Sequence, residues 1–249
     1  RYEGELYHFE YNANSLQITE LQADHVALPK VMYVPAERSI LSVAENRQKL
    51  LKELPDSCAT FSEELNNAKI AYKNGYDLPF GNLHYKYNTL NGVSYIWSEG
   101  YEEEPIFLRN ASSGIQSALP LCMVSDYLAE RVQQHEDVKL SDKEQKKLDK
   151  EVAEIMSNEN YSKSVRESRL KLLSAKSSYG SFINVVEEPE LNLFPQSQLN
   201  VICQLSKANG LSAPNMLVMT THSPYLLAIL NTLMLAGITY ELGNESIKT

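Results

Sequence analysis

Residues 181–195 read Ser-Phe-Ile-Asn-Val-Val-Glu-Glu-Pro-Glu-Leu-Asn-Leu-Phe-Pro. Phe182, Ile183, Val185 and Val186 form a short apolar run rich in β-branched residues, which predicts a strand buried on both faces of a parallel sheet. The run stops at Glu187-Glu188-Pro189-Glu190. Carboxylates are costly to bury without partners, so these belong at the C-terminal mouth of the strand, the edge where open α/β sheets bind ligands. Two adjacent carboxylates there suit a divalent metal and the polarising of a water. A core strand followed by a solvated acidic turn is the plainer alternative.

Two other runs share this form. Val31–Val34 ends at Pro35-Ala36-Glu37-Arg38, and Met216–Thr220 runs into Thr221-His222-Ser223-Pro224. Ser223 reads as a helix N-cap with Pro224 at the first helical position, so His222 falls between a strand end and a helix start. Further back, Ser112-Ser113-Gly114 precedes the apolar series Ile115, Leu119, Cys122 and Met123. A helix beginning there presents free N–H groups and its positive dipole end to an anion. Pro120 falls inside that helix, where a proline costs about 3 kcal/mol; a kink or break is expected.

These stretches together resemble the ABC-type ATPases, in particular the RecF and overcoming-lysogenisation-defect (OLD) branch. Glu187-Glu188-Pro189-Glu190 with Leu193-Phe194-Pro195 looks like its Walker B strand. Ser113, Gly114 and Gln116 match the Ser-Gly-x-Gln core of the signature, with Ile115 where a second Gly is usual. Thr-Thr-His-Ser-Pro at 220–224 looks like the switch-histidine segment, and Tyr-Val-Pro-Ala-Glu-Arg at 33–38 resembles another segment of the branch.

The resemblance implies an α/β, P-loop NTPase-like ABC ATPase core: a mostly parallel sheet with helices on both faces, antiparallel hairpins and a helical insertion. It implies ATP and Mg²⁺ as cofactors. Glu187 takes the Mg²⁺-side position, Glu188 is the catalytic glutamate that orients water, and His222 senses the γ-phosphate. Glu190 to Asn192 fall in the D-loop region. Ser113, Gly114 and Gln116 contact ATP held by a second protomer, which makes the expected partner a homodimer closed around ATP. Arg38 is placed near the nucleotide or the dimer contact, with a surface ion pair as its alternative. The family's phosphate cradle, Gly-x-x-x-x-Gly-Lys-Ser/Thr, has no counterpart, because the sequence contains no Gly-Lys dipeptide. The expectation is a longer protein with its P-loop upstream of Arg1, and negligible hydrolysis by these residues alone.

The remaining chain is read as part of one ATPase-like domain over 1–249. Strands are expected over 6–11 and 15–21 around an Asn12-Ala13-Asn14 turn. Helical spacing over 40–54 and 61–76 predicts a helical arm at 39–78. Residues 83–98 predict a hairpin with a two-residue Asn91-Gly92 turn, Leu90 facing Val93 and Tyr87 facing Ile96. Tyr95 and Trp97 have few basic neighbours and read as packing residues. Residues 126–178 predict a charged helical insertion, with a Ser141–Glu144 capping box and Leu148, Val152 and Ile155 on one face. Residues 182–235 carry the strand-to-histidine core, including a helix over 196–208.

Composition narrows the classes. The 249 residues are 43% hydrophobic and 22% charged, ordinary for a globular protein. No run approaches the ~20 apolar residues of a membrane helix. Cys58, Cys122 and Cys203 form no CxxC pair, which points to no zinc site or disulfide framework and to a reducing cytoplasm. The net charge of −9 repels nucleic acid on average, although DNA or a protein partner remains open for the complete protein. Three readings stand: an ATPase serving DNA maintenance or defence, a pseudo-ATPase scaffold, and a metal-dependent nuclease built on Glu187, Glu188 and Glu190.

Overall fold

The computed structural model describes residues 2–3, 7–12, 15–20, 28–44, 52–134, 142–158, 161–175, 179–211 and 215–235. The fold is mixed α/β, with one parallel sheet and two antiparallel sheets among the described residues. The chain divides into two compact units, one from residues 1–29 and 135–180, the other from 30–134 and 181–249.

In the first unit, β1 (Tyr2–Glu3), β2 (Tyr7–Asn12) and β3 (Ser15–Glu20) form an antiparallel sheet. β2 and β3 pair from Tyr7↔Glu20 to Asn12↔Ser15, close to the expected strands; Ala13 and Asn14 of the expected turn lie outside the described residues. Helices α4 (Asp142–Ser157) and α5 (Lys163–Ala175) supply the charged helical pair. Ile155 and Leu173 are buried while Asp149, Lys150, Glu154, Lys163 and Glu167 are exposed, as helical amphipathicity requires. Ser141, the expected cap, lies outside the described residues.

The second unit contains residues 181–195. β4 (Leu28–Val34), β9 (Tyr179–Glu187) and β10 (Met216–Thr220) form the parallel sheet, with β9 in the middle. β9 and β10 run in register from Ile183↔Met216 to Glu187↔Thr220. The two strand ends therefore finish side by side. β9 starts at Tyr179, inside the expected Ser-rich linker. Its cover also differs from expectation: Phe182, Asn184 and Val186 are buried, whereas Ile183 and Val185 are half-buried. β10 is more open, with Met216 53% and Val218 41% exposed. An apolar β-branched run does not distinguish a fully covered face from a half-covered one.

Helix α1 (Arg38–Val43) follows β4 and stops at Ala44, whose backbone is extended; residues 45–51 of the helix expected over 40–54 lie outside the described residues. Helix α2 (Asp56–Ala71) buries Cys58, Phe61, Leu65 and Ala68. It packs on α1 and on α3 (Ser113–Gln133), and so belongs to the core rather than forming an arm. An antiparallel sheet of β5 (Tyr76–Asp77), β6 (Leu83–Asn88), β7 (Val93–Ser98) and β8 (Ile106–Phe107) follows.

The β6–β7 hairpin is present, but its register is not the expected one. Asn88 pairs with Val93, Tyr87 with Ser94 and Tyr85 with Ile96, which leaves a four-residue loop. Gly92 alone in that loop has a positive φ, 70°. The Asn88 and Asn91 side chains accept from Leu90 and Val93 N–H, and Asn88 O accepts from Gly92 N–H. Asx turns of this kind favour the longer loop over a type I′ turn, which needs positive φ at both central residues. Tyr95 and Trp97 do pack on rings, with Tyr95 5.4 Å from Phe107 and Trp97 5.8 Å from His84.

Helix α3 is continuous through Pro120, so the expected break is absent. Proline has no N–H for the carbonyl four residues back. That carbonyl, Gln116 O, lies 3.1 Å from Ser42 Oγ, whose one proton it shares with Ser39 O at 2.7 Å. Helices α6 (Pro195–Asn209) and α7 (Pro224–Leu235) complete the unit. No helix among the described residues is long and apolar enough to cross a membrane.

Candidate functional site

The site is built where β9 ends. Glu187 is the last residue of the strand, and Glu188 turns away from it with φ 41°. A left-handed conformation costs a non-glycine residue about 1–2 kcal/mol, so its surroundings must hold it. Glu188 N–H donates to Thr220 O at 3.0 Å, prolonging the β9–β10 pairing by one bond. Two turns follow, with Leu191 N–H donating to Glu188 O and Leu193 N–H to Glu190 O, both at 3.0 Å. Asn192, at φ 61°, is the second left-handed residue of the segment.

Because β10 finishes opposite β9, its following residues face these carboxylates. His222 Nε2 lies 3.6 Å from Glu188 Oε1. Glu190 Oε1 accepts from Thr221 Oγ1 at 2.7 Å, His222 N–H at 2.9 Å and Ser223 N–H at 3.1 Å. One carboxylate oxygen thus shapes the turn that carries His222. Ser223 Oγ donates to Gln198 Oε1, and Gln198 Nε2 donates to Leu193 O, both at 2.9 Å. Gln198 of α6 therefore joins the two loops, a role with no motif in the sequence to announce it.

Glu187 is oriented by β4. Its Oε2 accepts from Ala36 N–H at 3.1 Å. A hydrogen bond with Glu187 also pushes the Tyr33 hydroxyl up to about 12, since ionising the phenol beside a carboxylate is unfavourable.

Arg38 lies behind the Glu187–Glu188 backbone, and it is not the surface ion pair that was the alternative. It is completely buried. Its guanidinium donates to Ser117 O (3.1 Å), Pro35 O (3.1 Å), Glu187 O (2.6 Å) and Glu188 O (2.6 Å). Burial pulls its pKa down to about 10, which leaves it cationic at neutral pH. A planar fork of N–H donors satisfies divergent carbonyls in a way a lysine cannot. The sequence places Arg38 at the correct sheet edge but gives no signal of its burial.

The helix start at residues 112–116 lies against the same segment. Ser112 caps α3, its Oγ accepting from Ile115 N–H at 3.5 Å. Ser113 is exposed. A Cβ on Gly114 would sit 2.7 Å from Asn192 O, so only glycine allows the helix start to approach that turn without displacement. Gln116 Nε2 donates to Leu108, Arg109 and Ala111 O at 3.0–3.3 Å. Its amide hydrogens are thereby directed into its own protein and not toward a ligand.

Among the described residues no three His, Cys, Asp or Glu side chains form a metal-holding group. Mg²⁺ commonly takes only one or two protein carboxylates, with water and substrate phosphates completing its shell. Glu187, the last residue of β9, is a carboxylate of that kind at the strand mouth. A separate cavity of about 800 Å³, lined by Ser42, Lys69, Tyr87, Tyr95, Phe107 and Arg109 among others, includes none of Glu187, Glu188, Glu190, Ser113 or His222. Compared with family models, curated proteins and solved structures, the chain matches none.

Proposed function

We propose that the protein is an ATP-binding and hydrolysing domain of the ABC type that closes as a dimer around ATP and drives a DNA-maintenance or defence assembly. The observation that carries this reading is the 3.6 Å approach of His222 to Glu188 at the ends of adjacent parallel strands. An acid and an imidazole sharing one strand-end edge suit the orientation of a water and the sensing of a phosphate.

In this reading Glu188 orients the attacking water and accepts its proton. His222 donates to a phosphate oxygen, held in place by the Glu190-bound turn. Glu187, fixed by Ala36 N–H and Tyr33, is the carboxylate on the Mg²⁺ side; when bound, Mg²⁺ neutralises phosphate charge. Ser113 and the start of α3 face the nucleotide of a second protomer. The negative average charge agrees better with a protein partner than with direct DNA contact, and the reading places the protein in the cytoplasm.

A second reading has one observation in its favour. The sequence has no Gly-Lys dipeptide and hence no Walker A cradle, which suits a pseudo-ATPase scaffold. ATP turnover by the full-length protein separates the two. Glu188→Gln should slow hydrolysis by about 10²–10⁴-fold, the range for loss of a general base, while ATP affinity changes little. Absence of turnover in the parent, or an unchanged rate in the variant, would reject the ATPase assignment.

A further inference from the structure

Arg38 joins three parts of the second unit by backbone acceptors alone. Pro35 O belongs to the end of β4, Glu187 O and Glu188 O to the end of β9, and Ser117 O to the second turn of α3. The α3 surface that Arg38 meets is specialised. Pro120 leaves Gln116 O without its helical donor, Ser42 Oγ offers it a proton shared with Ser39 O, and the next carbonyl, Ser117 O, accepts from Arg38. Ser42 and Arg38 both lie on α1, one turn apart. α1 is thus fastened to α3 just behind the helix start at Ser113, while its first residue grips the backbone of Glu188.

We propose that Arg38 is a positioning residue, which holds Glu188 in its left-handed conformation and ties that carboxylate to the helix beginning at Ser113. This deepens the ATPase reading and rests on it. The two Glu-carbonyl bonds are the short ones, at 2.6 Å, and they flank the Cα of Glu188 on one side and its own carbonyl on the other. A change in the left-handed backbone conformation of Glu188 has to break them. A displacement of the first turns of α3 reaches Glu188 through Ser117 and the same guanidinium. Contact at Ser113 is thereby felt at the water-orienting carboxylate.

The test is Arg38→Lys in the full-length protein, with the planar, uncharged Arg38→Gln run beside it so that either folded variant suffices. ATP affinity should stay within about threefold, while the single-turnover rate falls about 10- to 100-fold, the scale of an ångström-sized misplacement. Amide exchange at Glu188, whose N–H is bonded to Thr220 O, should quicken about tenfold, with Ile202 in α6 unchanged. A parent without Glu188-dependent hydrolysis overturns the ATPase reading and this inference with it. A hydrolysing parent whose variants keep both the rate and the Glu188 exchange overturns the positioning role alone. Exchange that quickens throughout α6, with rate and affinity falling together, also overturns it, because Arg38 then supports the whole unit and not Glu188 in particular.

Discussion

Ser42 Oγ shares its proton between Ser39 O, 2.7 Å away, and the carbonyl of Gln116, 3.1 Å away across the gap that Pro120 opens in the hydrogen bonding of α3. Ser42 is 4% exposed, so its loss would remove a largely buried donor from that carbonyl. Ser42→Ala is therefore expected to cost about 1–3 kcal/mol, the cost of an unsatisfied buried acceptor. In a Pro120→Ala background the new N–H can serve Gln116 O, and the same substitution should cost about 1 kcal/mol or less. Urea unfolding of the four proteins of this double-mutant cycle measures the coupling. Equal costs in both backgrounds would show that Ser42 does not replace the missing helical donor.

Asp126 is 7% exposed and accepts from Tyr76 Oη at 2.6 Å and Gln204 Nε2 at 2.8 Å. Burial outweighs those bonds and pushes its pKa up from 3.8 to about 6, with nearby Glu130 adding repulsion. A carboxyl raised on folding binds its proton more tightly in the native state. Its stabilising contribution is complete below pH 3.8 and is lost as pH rises through about 6. Two pH units correspond to about 3 kcal/mol. Asp126→Asn should therefore be more stable than the parent above pH 6, with the advantage disappearing toward pH 4. Thermal unfolding of both proteins across this range checks the sign; an advantage that grows toward low pH would refute it.

Gly114 gives a test of the contact between α3 and the Glu188–Leu193 segment. A methyl group there meets Asn192 O at 2.7 Å, and backbone must move to admit it. Gly114→Ala should destabilise by about 1–3 kcal/mol, the usual range for overpacking, although alanine is otherwise the better helix former. Amide exchange should quicken at Leu191 and Leu193, the donors of the two turns. Unchanged stability with unchanged exchange would mean that the helix start and the turn are not in contact in solution.

Much of the strand-end edge was legible because its determinants are local. Apolar runs ended by Glu187-Glu188 and by Thr221-His222 specify strands that stop at ionisable groups, and Ser223-Pro224 specifies the helix that follows. The hairpin pairing was not legible, since Asn91-Gly92 serves a two-residue turn or the end of a four-residue loop, and the Asn88 and Asn91 side-chain bonds decide between them. The burial of Arg38 was not legible for a different reason. It depends on acceptors at 117, 187 and 188, far away in sequence. Burial of that kind is a property of the assembled unit and has no periodicity to reveal it.

Glu190 and His222 provide the final prediction. Glu190 Oε1 accepts from Thr221 Oγ1 and from the backbone N–H groups of His222 and Ser223, while Glu190 Oε2 is buried without a partner. Hydrogen bonds to a charged acceptor contribute about 1.5–3 kcal/mol each when buried, but His222 is exposed and water replaces part of what is lost. Glu190→Ala should thus cost about 2–4 kcal/mol in total and release the turn, with the Ser223 amide exchanging faster. Glu190→Gln keeps one carbonyl-type oxygen for the three donors but puts an NH₂ group where Oε2 finds no partner. It should retain most of the Ser223 protection and lose about half as much stability as the alanine variant. Urea midpoints and amide exchange of both variants decide this. If alanine and glutamine are equally protected at Ser223, Glu190 does not hold the turn, and the approach of His222 to Glu188 must be fixed by Gln198 through Ser223 instead.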